Sequence, residues 1–298
     1  MNFEINKLAT YKGHKDSVYD LAEGITAGRI LSASGDGYLV EWVSPEEGVP
    51  VARVNHPVYA FEHNRQQGRI WLGENSEGLH LIDTAGKKVE ASLKLGKVSV
   101  FCILSAGNVT LAGNSLGYIH VIDNRQNSFI KHLQVSGKSI RALAVNEALG
   151  ELAVGSSDHR IHIYDLDTLA LKKNLEGHTN SVFTLAYHGQ YLISSGRDAH
   201  IRIWDSTLDY LPAAVVPAHN YAINHVLPLK GTELLASCSM DKSVKIWDIN
   251  SMRLMKVIDK GKFASHGTSV NRLWWNENTQ RLFSGSDDRT ISEWSLFP

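Results

Sequence analysis

The sequence has few of the residues that mark disulfide-bonded, secreted or membrane proteins. It contains only two cysteines, Cys102 and Cys238, which lie in different repeats of the chain; this argues against a disulfide framework and fits a reducing compartment. No apolar stretch approaches the ~18 residues that a membrane span needs. The first residues show no basic segment followed by an apolar run, so we expect no signal peptide. These absences predict a cytoplasmic protein without a membrane partner.

An excess of charge of either sign is also lacking. The 30 Lys and Arg residues against 31 Asp and Glu residues leave a formal net charge of −1. The basic residues form no long block, so the electrostatic footprint of a nucleic-acid-binding protein is missing. Proline is scarce as well, with seven residues in all. We predict loops at Pro57, Pro212, Pro217 and Pro228.

What the sequence has instead is a repeat. The tripeptide Ile-Trp-Asp occurs at 203–205 and at 246–248, and weaker copies recur along the chain. The positions equivalent to its Trp, which we call the anchors, follow one another at intervals of 40 to 47 residues and are Trp42, Ile82, Ile122, Tyr164, Trp204, Trp247 and Trp294. A period of about 40–45 residues indicates one four-stranded blade per repeat.

A second marker supports this interpretation. Gly-His, or a variant of it, precedes the first predicted strand of most repeats and is clearest at residues 13–14 and 177–178. In the fifth repeat, alternating runs between turn residues predict strands over 181–187, 191–195 and 200–205. Together with the Trp-Asp endings, the marker resembles the WD-repeat family of β-propellers. The resemblance implies an all-β fold, a single seven-bladed propeller of four-stranded antiparallel blades over residues 1–298.

The ends of the chain predict how the ring closes. The last repeat stops four residues after Trp294, which leaves no room for a fourth strand. Residues 7–14 align with residues 171–178, where the fourth repeat has its outer strand and its Gly-His. We therefore predict that residues 4–12 supply the outer strand of the blade built from 268–297, which would protect the sheet edges.

Four residue types recur at fixed offsets and can hydrogen-bond in a chain across one blade: a loop His, a strand Ser, a turn Asp and the anchor Trp. The complete sets are His14/Ser32/Asp36/Trp42, His178/Ser194/Asp198/Trp204, His219/Ser237/Asp241/Trp247 and His266/Ser284/Asp288/Trp294. A hydrolase triad uses the same residue types, but it occupies one site, whereas this set recurs four times, so we interpret it as structural. Repeats two to four lack the full set, and we predict that their blades rely on apolar packing and are softer.

Three histidines could suggest a metal site. His80, His120 and His162 each stand two residues before an anchor, on the third strands of adjacent blades. Third strands lie two strands out from the axis, so equivalent atoms of neighbouring blades should be roughly 10 Å apart. Zinc needs its ligands at about 2.0–2.1 Å. We therefore expect no metal and no cofactor, and we assign these histidines to packing between blades.

The start of each first strand carries the candidate binding residues. Two residues after the strand-start position stand Tyr19, Tyr59, Phe101, Arg141, Phe183, Asn224 and Asn271, and the turns between second and third strands add Arg197, Met240 and Asp287. Because first strands line the channel of a propeller, these side chains should converge on one mouth, where aromatics and Arg make binding hot spots. Alternatively, the aromatics cap the core.

The charge of the guest stays open at this point. In WD-repeat relatives that read peptide tails, aromatics at the position of Tyr19 sandwich an arginine. The resemblance therefore implies that the four aromatics of the mouth could hold a cation. Arg141 and Arg197 would repel a cation and favour an acidic guest.

The sequence predicts a non-catalytic protein-interaction scaffold, a monomeric ring within a larger complex. Its partner would be a protein or peptide that the sequence does not identify. Two alternatives use the central channel: a propeller enzyme of the lactonase or glycan-hydrolase kind, and a small-ligand sensor. The enzyme would need acidic residues on several first strands, and Asp20 is the only clear one.

Overall fold

The computed structural model describes residues 4–296, and these form seven four-stranded antiparallel sheets arranged in a ring. This confirms the predicted seven-bladed β-propeller. Residue 297, the predicted end of the last blade, lies outside the described residues. Within residues 4–296, no helix is long and apolar enough to cross a membrane.

The strands follow the repeats in order. The chain begins with β1 Asn6–Lys12. Blade 1 is β2 Val18–Glu23, β3 Ile30–Ser34, β4 Tyr38–Ser44 and β5 Glu47–Arg53; blade 2 is β6 Val58–Asn64, β7 Arg69–Glu74, β8 Gly78–Asp83 and β9 Lys88–Lys94; blade 3 is β10 Val100–Ala106, β11 Val109–Asn114, β12 Tyr118–Asp123 and β13 Ser128–Gln134. Blade 4 is β14 Ile140–Asn146, β15 Glu151–Ser156, β16 Ile161–Asp165 and β17 Leu171–Leu175; blade 5 is β18 Val182–His188, β19 Tyr191–Gly196, β20 His200–Asp205 and β21 Leu211–Pro217. Blade 6 is β22 Ile223–Leu229, β23 Leu234–Ser239, β24 Val244–Asp248 and β25 Leu254–Ile258; blade 7 contains β26 Val270–Asn276, β27 Arg281–Ser286 and β28 Thr290–Ser295. A 3₁₀ turn spans Ser206–Leu208, and α1 is the single turn Lys260–Phe263.

Apolar packing between neighbouring blades forms the core. The first strand of each blade contacts the first strands of both neighbours, so these strands line the axis. The second strands β15 and β23 are buried along their whole length because they are covered on both faces. Between blades 1 and 2, for example, Leu31 and Leu39 belong to the same buried cluster as Val58 and Leu72. Burial of this kind is the main favourable contribution to stability.

The N-terminal strand lies in the last blade. β1 pairs antiparallel with β28, from Asn6 opposite Ser295 to Lys12 opposite Thr290. The side chains that flank the pair, Ile5 and Leu296, are buried in the cluster between blades 6 and 7. Blade 7 therefore has four strands in the order β1-β28-β27-β26.

The Asp that follows the anchor shapes the outer turn. Asp83, Asp123, Asp165, Asp205 and Asp248 each accept a backbone N–H from two or three residues further on. A side chain that binds its own turn in this way takes the place of a backbone hydrogen bond and fixes the turn. This accounts for the recurrence of Asp after the anchor.

The prediction that all four prolines lie in loops is wrong. Pro212 and Pro217 lie in β21, the outermost strand of blade 5, and Pro228 lies in β22; of the four, only Pro57 is outside a strand. An outermost strand has one edge without a partner, so it tolerates a residue that cannot donate a backbone hydrogen bond. Proline at such an edge also discourages pairing with another chain.

Candidate functional site

Four blades contain the predicted hydrogen-bond chain. In blade 1, His14 Nδ1 donates to Asp36 Oδ2 at 3.0 Å, and Ser32 Oγ donates to His14 Nε2 at 2.7 Å. Trp42 Nε1 in turn donates to Ser32 Oγ at 2.8 Å. The same chain recurs in blades 5, 6 and 7 around His178, His219 and His266.

The chains favour the structural interpretation over a hydrolase. The serines Ser32, Ser194, Ser237 and Ser284 are fully buried, so no substrate can reach their hydroxyls. Burial favours the neutral form of the Asp36 carboxyl, but hydrogen bonds from His14 and from the Lys15 N–H outweigh burial and hold its pKa at about 2. Burial acts against the charged form of Asp288 as well, but the hydrogen bond and charge of His266 together with the hydrogen bonds from Thr290 outweigh burial and hold the pKa of Asp288 at about 2.

Blades 2 to 4 lack the four-residue set, but the prediction that they rely on apolar packing instead is wrong, because each has hydrogen bonds of its own. In blade 2, Glu74 accepts hydrogen bonds from the His56 ring at 2.9 Å, from the His80 ring at 2.7 Å and from the backbone N–H groups of Asn55 and His56. The other ring nitrogen of His80 lies 2.8 Å from Ser92 Oγ on the outer strand. In blade 2, Glu74 thus accepts the hydrogen bond of the loop histidine, as the turn Asp does in blades 1, 5, 6 and 7.

Blades 3 and 4 repeat this arrangement with other residues. His120 contacts Asn114 at 2.9 Å and His132 at 2.6 Å, while His162 contacts Asp158 at 3.1 Å and Asn174 at 2.6 Å. The histidines of the third strand therefore hydrogen-bond within their own blade. Our assignment of these histidines to packing between blades was wrong. Each ring hydrogen-bonds on one side to the second strand of its own blade or to the turn after it, and on the other side to the fourth strand of that blade.

A β-bulge places each of the seven candidate residues on the first strands. In each first strand the register shifts at one residue, and that residue is Tyr19, Tyr59, Phe101, Arg141, Phe183, Asn224 or Asn271. A bulge inserts one residue without a partner and turns its side chain away from the regular alternation. All seven line one cavity of about 380 Å³, together with Ser99 and Arg272. We call this cavity the mouth.

Aromatic rings form one wall of the mouth. The Tyr19 and Tyr59 rings meet edge to face with their centroids 4.8 Å apart, and Tyr59 stacks on Phe101 at 5.7 Å. Arg141 lies beyond them, with its guanidinium carbon 3.9 Å from the Phe101 centroid and 4.8 Å from the Phe183 centroid. The slot between two aromatic rings is therefore filled by a cation of the protein itself.

The opposite wall is fixed by carboxamides. Asn224 Nδ2 donates to Val270 O at 2.9 Å, and Asn271 Nδ2 donates to Asp287 Oδ1 at 2.7 Å and to Val18 O at 3.1 Å. Each of these side chains reaches the next blade. This part of the rim is held by hydrogen bonds across the joints between blades 6, 7 and 1.

The structure separates the predicted rim residues into two groups. The seven bulge residues line the mouth, whereas Arg197 and Met240 are exposed on their turns and do not line it. The expectation that Arg197 joins Arg141 in the mouth is wrong. Sequence reasoning also missed Arg272, which follows the bulge in blade 7 and lines the mouth.

A polar layer lies in the channel below the mouth. Arg272 Nε lies 2.8 Å from Asp20 Oδ1, and Asp20 also accepts the N–H groups of Leu21 and Phe61. Glu62 accepts the N–H of Ser105 in the next blade at 3.2 Å. The view that Asp20 is the only clear acidic residue on the first strands was therefore wrong. Burial raises the pKa of both carboxyls.

The same layer contains a neutral histidine. His225 Nδ1 accepts the N–H of Leu273 in the next blade at 3.3 Å. Complete burial lowers the pKa of His225 well below its usual range, and the nearby Arg272 acts in the same direction. Among residues 4–296, no group of three or more His, Cys, Asp or Glu side chains could hold a metal ion.

Comparisons with known proteins agree with the fold. The sequence profile described as "WD domain, G-beta repeat" matches residues 5–42, 170–205, 211–248 and 259–295, which together make up half of the chain. The WD40 β-propeller domain of Doa1, a solved structure, superposes with a TM-score of 0.85 at 19% identity, over 99% of this chain and 97% of that chain.

Curated relatives match over part of their length. The nuclear distribution protein nudF of Aspergillus niger is 29% identical over 163 residues, which are 53% of this chain and 36% of that protein. The nuclear distribution protein nudF 1 of Talaromyces marneffei is 32% identical over 130 residues, 42% of this chain and 28% of that protein. The matches thus span about a third of these relatives.

Proposed function

Since the chain belongs to the WD40 repeat family, we propose that it acts as a non-catalytic protein-interaction module and that a segment of a partner protein binds in the mouth. One observation carries this proposal: the half-buried rings of Tyr19, Tyr59 and Phe101 stand around a cavity of about 380 Å³. Aromatic side chains in a concave surface are the type of residue that dominates binding energy.

The channel residues speak against the two alternative functions. Asp20 already accepts two backbone N–H groups and pairs with Arg272, and Glu62 accepts a backbone N–H, so both carboxylates are engaged in joining blades. The space that they line is about 150 Å³, whereas small-molecule pockets usually measure about 300–1,000 Å³. An enzyme or a small-ligand sensor in the channel is therefore less well supported than a protein-binding mouth.

The relatives contribute only a general role. They are described as nuclear distribution proteins, and this chain shares with them about half of its own length. Nuclear distribution names neither a partner nor a compartment, so the interaction role proposed for this chain rests on its mouth, and the proposed cytoplasmic location rests on its sequence.

A defined peptide library tests the proposal. The protein is immobilised and used to select from displayed random heptapeptides, and the selected peptides are titrated by calorimetry. Tyr59→Ala should weaken binding by about 30-fold or more, the effect of a hot-spot residue. Tyr191→Ala is the matched control, because Tyr191 is an exposed tyrosine that lines a groove elsewhere.

The melting temperature of each variant separates lost contacts from unfolding. The proposal fails if no peptide is selected, or if folded Tyr59→Ala binds the selected peptides as tightly as the Tyr191→Ala control does.

A further inference from the structure

The aromatic slot of the mouth already holds a guanidinium. Arg141 stands between Phe101 and Phe183, at 3.9 and 4.8 Å from the two ring centroids. These three residues come from consecutive blades, so the cation is fixed by both neighbours. A second arginine has no room between the rings and would meet a like charge. An arginine-bearing guest is therefore excluded from this slot.

The charged side chains that line the mouth have one sign, while the carboxylate of Asp287 stands outside the lining and accepts a hydrogen bond from Asn271. The lining contains two guanidinium groups, those of Arg141 and Arg272, and no carboxylate. Arg272 is paired with Asp20 in the layer beneath. Arg141 Nε is buried and, within residues 4–296, has no hydrogen-bond partner. Arginine stays charged in proteins, and the two aromatic rings that flank Arg141 do not supply it with an opposite charge.

The carboxamides of the rim already have partners within the protein, so they compete little with Arg141 for a bound carboxylate. The side-chain N–H groups of Asn224 and Asn271 are directed to acceptors within the protein. The rings of Tyr19 and Tyr59 offer an apolar wall beside Arg141. A side chain with a short aliphatic stem and a terminal carboxylate suits such a cavity, because its stem packs on the rings and its carboxylate faces the guanidinium.

We propose that the mouth recognises a carboxylate on its protein partner, and that Arg141, positioned by Phe101 and Phe183, is the residue that reads it. This rests on the proposed function and names the class of guest. The carboxylate belongs to an acidic side chain within a segment or to a C-terminus. Both sources present the same group to Arg141.

The test uses the selected heptapeptides on the wild-type protein first, so that folding is not at issue. Each peptide is made with its Asp or Glu residues replaced by Asn or Gln, or by Arg, and with a free or an amidated C-terminus. Neutralising the carboxylate that binds Arg141 should weaken binding by about tenfold or more, since hydrogen bonds between charged groups are stronger than those between neutral groups. The side-chain and C-terminal replacements tell the two sources apart. Binding should also weaken as salt is raised, because salt screens exposed charges.

Variants of the protein then identify the reader. Arg141→Gln should lower the affinity for the acidic peptide by about tenfold or more. Arg197→Gln is the matched control, since Arg197 is exposed outside the mouth, and it should bind normally. Arg141→Ser empties the slot between the rings and should let the Arg-substituted peptide bind, which the wild type does not.

The outcomes separate this inference from the proposed function. If neutral peptides bind wild type as tightly as acidic ones, and Tyr59→Ala still abolishes binding, the mouth is the site but the carboxylate inference is overturned. The same holds if Arg-bearing peptides bind the wild type, or if Arg197→Gln weakens binding as much as Arg141→Gln. If binding is insensitive to Tyr59→Ala as well, the proposed function itself fails.

Discussion

Arg272 Nε of the last blade lies 2.8 Å from Asp20 Oδ1 of the first blade, across the joint where the ring closes. Asp20 is almost completely buried and also accepts the N–H of Phe61 in blade 2. One carboxylate thus links blades 7, 1 and 2. Its contribution should exceed that of a surface ion pair, which is typically about 0–1 kcal/mol.

Removing this carboxylate should destabilise the ring. We expect Asp20→Ala to lower the free energy of unfolding by about 2 kcal/mol or more, because it removes the carboxylate that pairs with Arg272 and accepts the buried N–H groups of Leu21 and Phe61. Urea unfolding measures the change. Asp167→Ala, at an exposed carboxyl, is the control and should change stability by less than about 0.5 kcal/mol. Equal losses in the two variants would show that the link between blades contributes nothing.

The network of blade 2 should matter as much as the networks of the other blades. Glu74 accepts four hydrogen bonds, and its removal leaves two histidine rings and two backbone N–H groups without an acceptor. We expect Glu74→Ala to cost about 2 kcal/mol or more, as Asp198→Ala should in blade 5. Glu77→Ala makes the same change at an exposed position and should be nearly neutral. If Glu74→Ala resembles Glu77→Ala in its denaturant midpoint, blade 2 is held by apolar packing after all.

Acid should unfold the protein through its Asp–His pairs. The folded-state pKa values of Asp36 and Asp288 are about 2, below the ordinary 3.8, so their stabilisation is present above about pH 4 and is lost as the pH falls towards 2. Asp198 and Asp241 also have lowered pKa values. Asp20 and Glu62 act with the opposite sign, because burial raises their pKa values, but these two carboxyls oppose four.

Unfolding curves measured between pH 5 and pH 2.5 check this dependence. The free energy of unfolding should fall steadily as the pH is lowered. In Asp36→Asn it should fall less steeply, because one titrating carboxyl is gone. A stability that is flat over this range, or an unchanged slope in Asp36→Asn, would contradict the assignment.

Deleting residues 1–12 should destabilise the last blade. The deletion removes β1, exposes the edge of β28 and takes the buried Ile5 out of its cluster. We expect insoluble protein or a melting temperature lowered by many degrees, because an unprotected sheet edge also invites aggregation. A truncated protein that melts within a degree or two of the intact chain would show that β1 is not needed for closure.

The repeat period was enough to predict the blades, because each anchor marks the same strand of a blade. The network of blade 2 was missed for a geometric reason. The acceptor there is Glu74, which stands two residues before Ser76, the position equivalent to the turn Asp. A longer side chain reaches the same histidine from an earlier position, and a comparison at fixed offsets does not detect this.

The mouth could be predicted only in part. Sequence reasoning placed Tyr59, Phe101 and Arg141 together, because equivalent positions of adjacent blades meet at the axis. It did not predict that each is a bulge residue, nor that Arg141 inserts between two rings, since both depend on the register within each sheet. Arg272 was missed because no other first strand has an arginine or a lysine at the equivalent position.

Mapping where a bound peptide lies tests the central claim most directly. A selected heptapeptide carrying a photoreactive benzoylphenylalanine is crosslinked to the wild-type protein, and the attachment sites are found by mass spectrometry. We predict crosslinks to the residues of the mouth, above all Tyr19, Tyr59 and Phe101. Crosslinks confined to the grooves between blades, at Tyr191 and Met252 or at Ile130 and Leu169, would contradict the account and place the binding surface elsewhere on the ring.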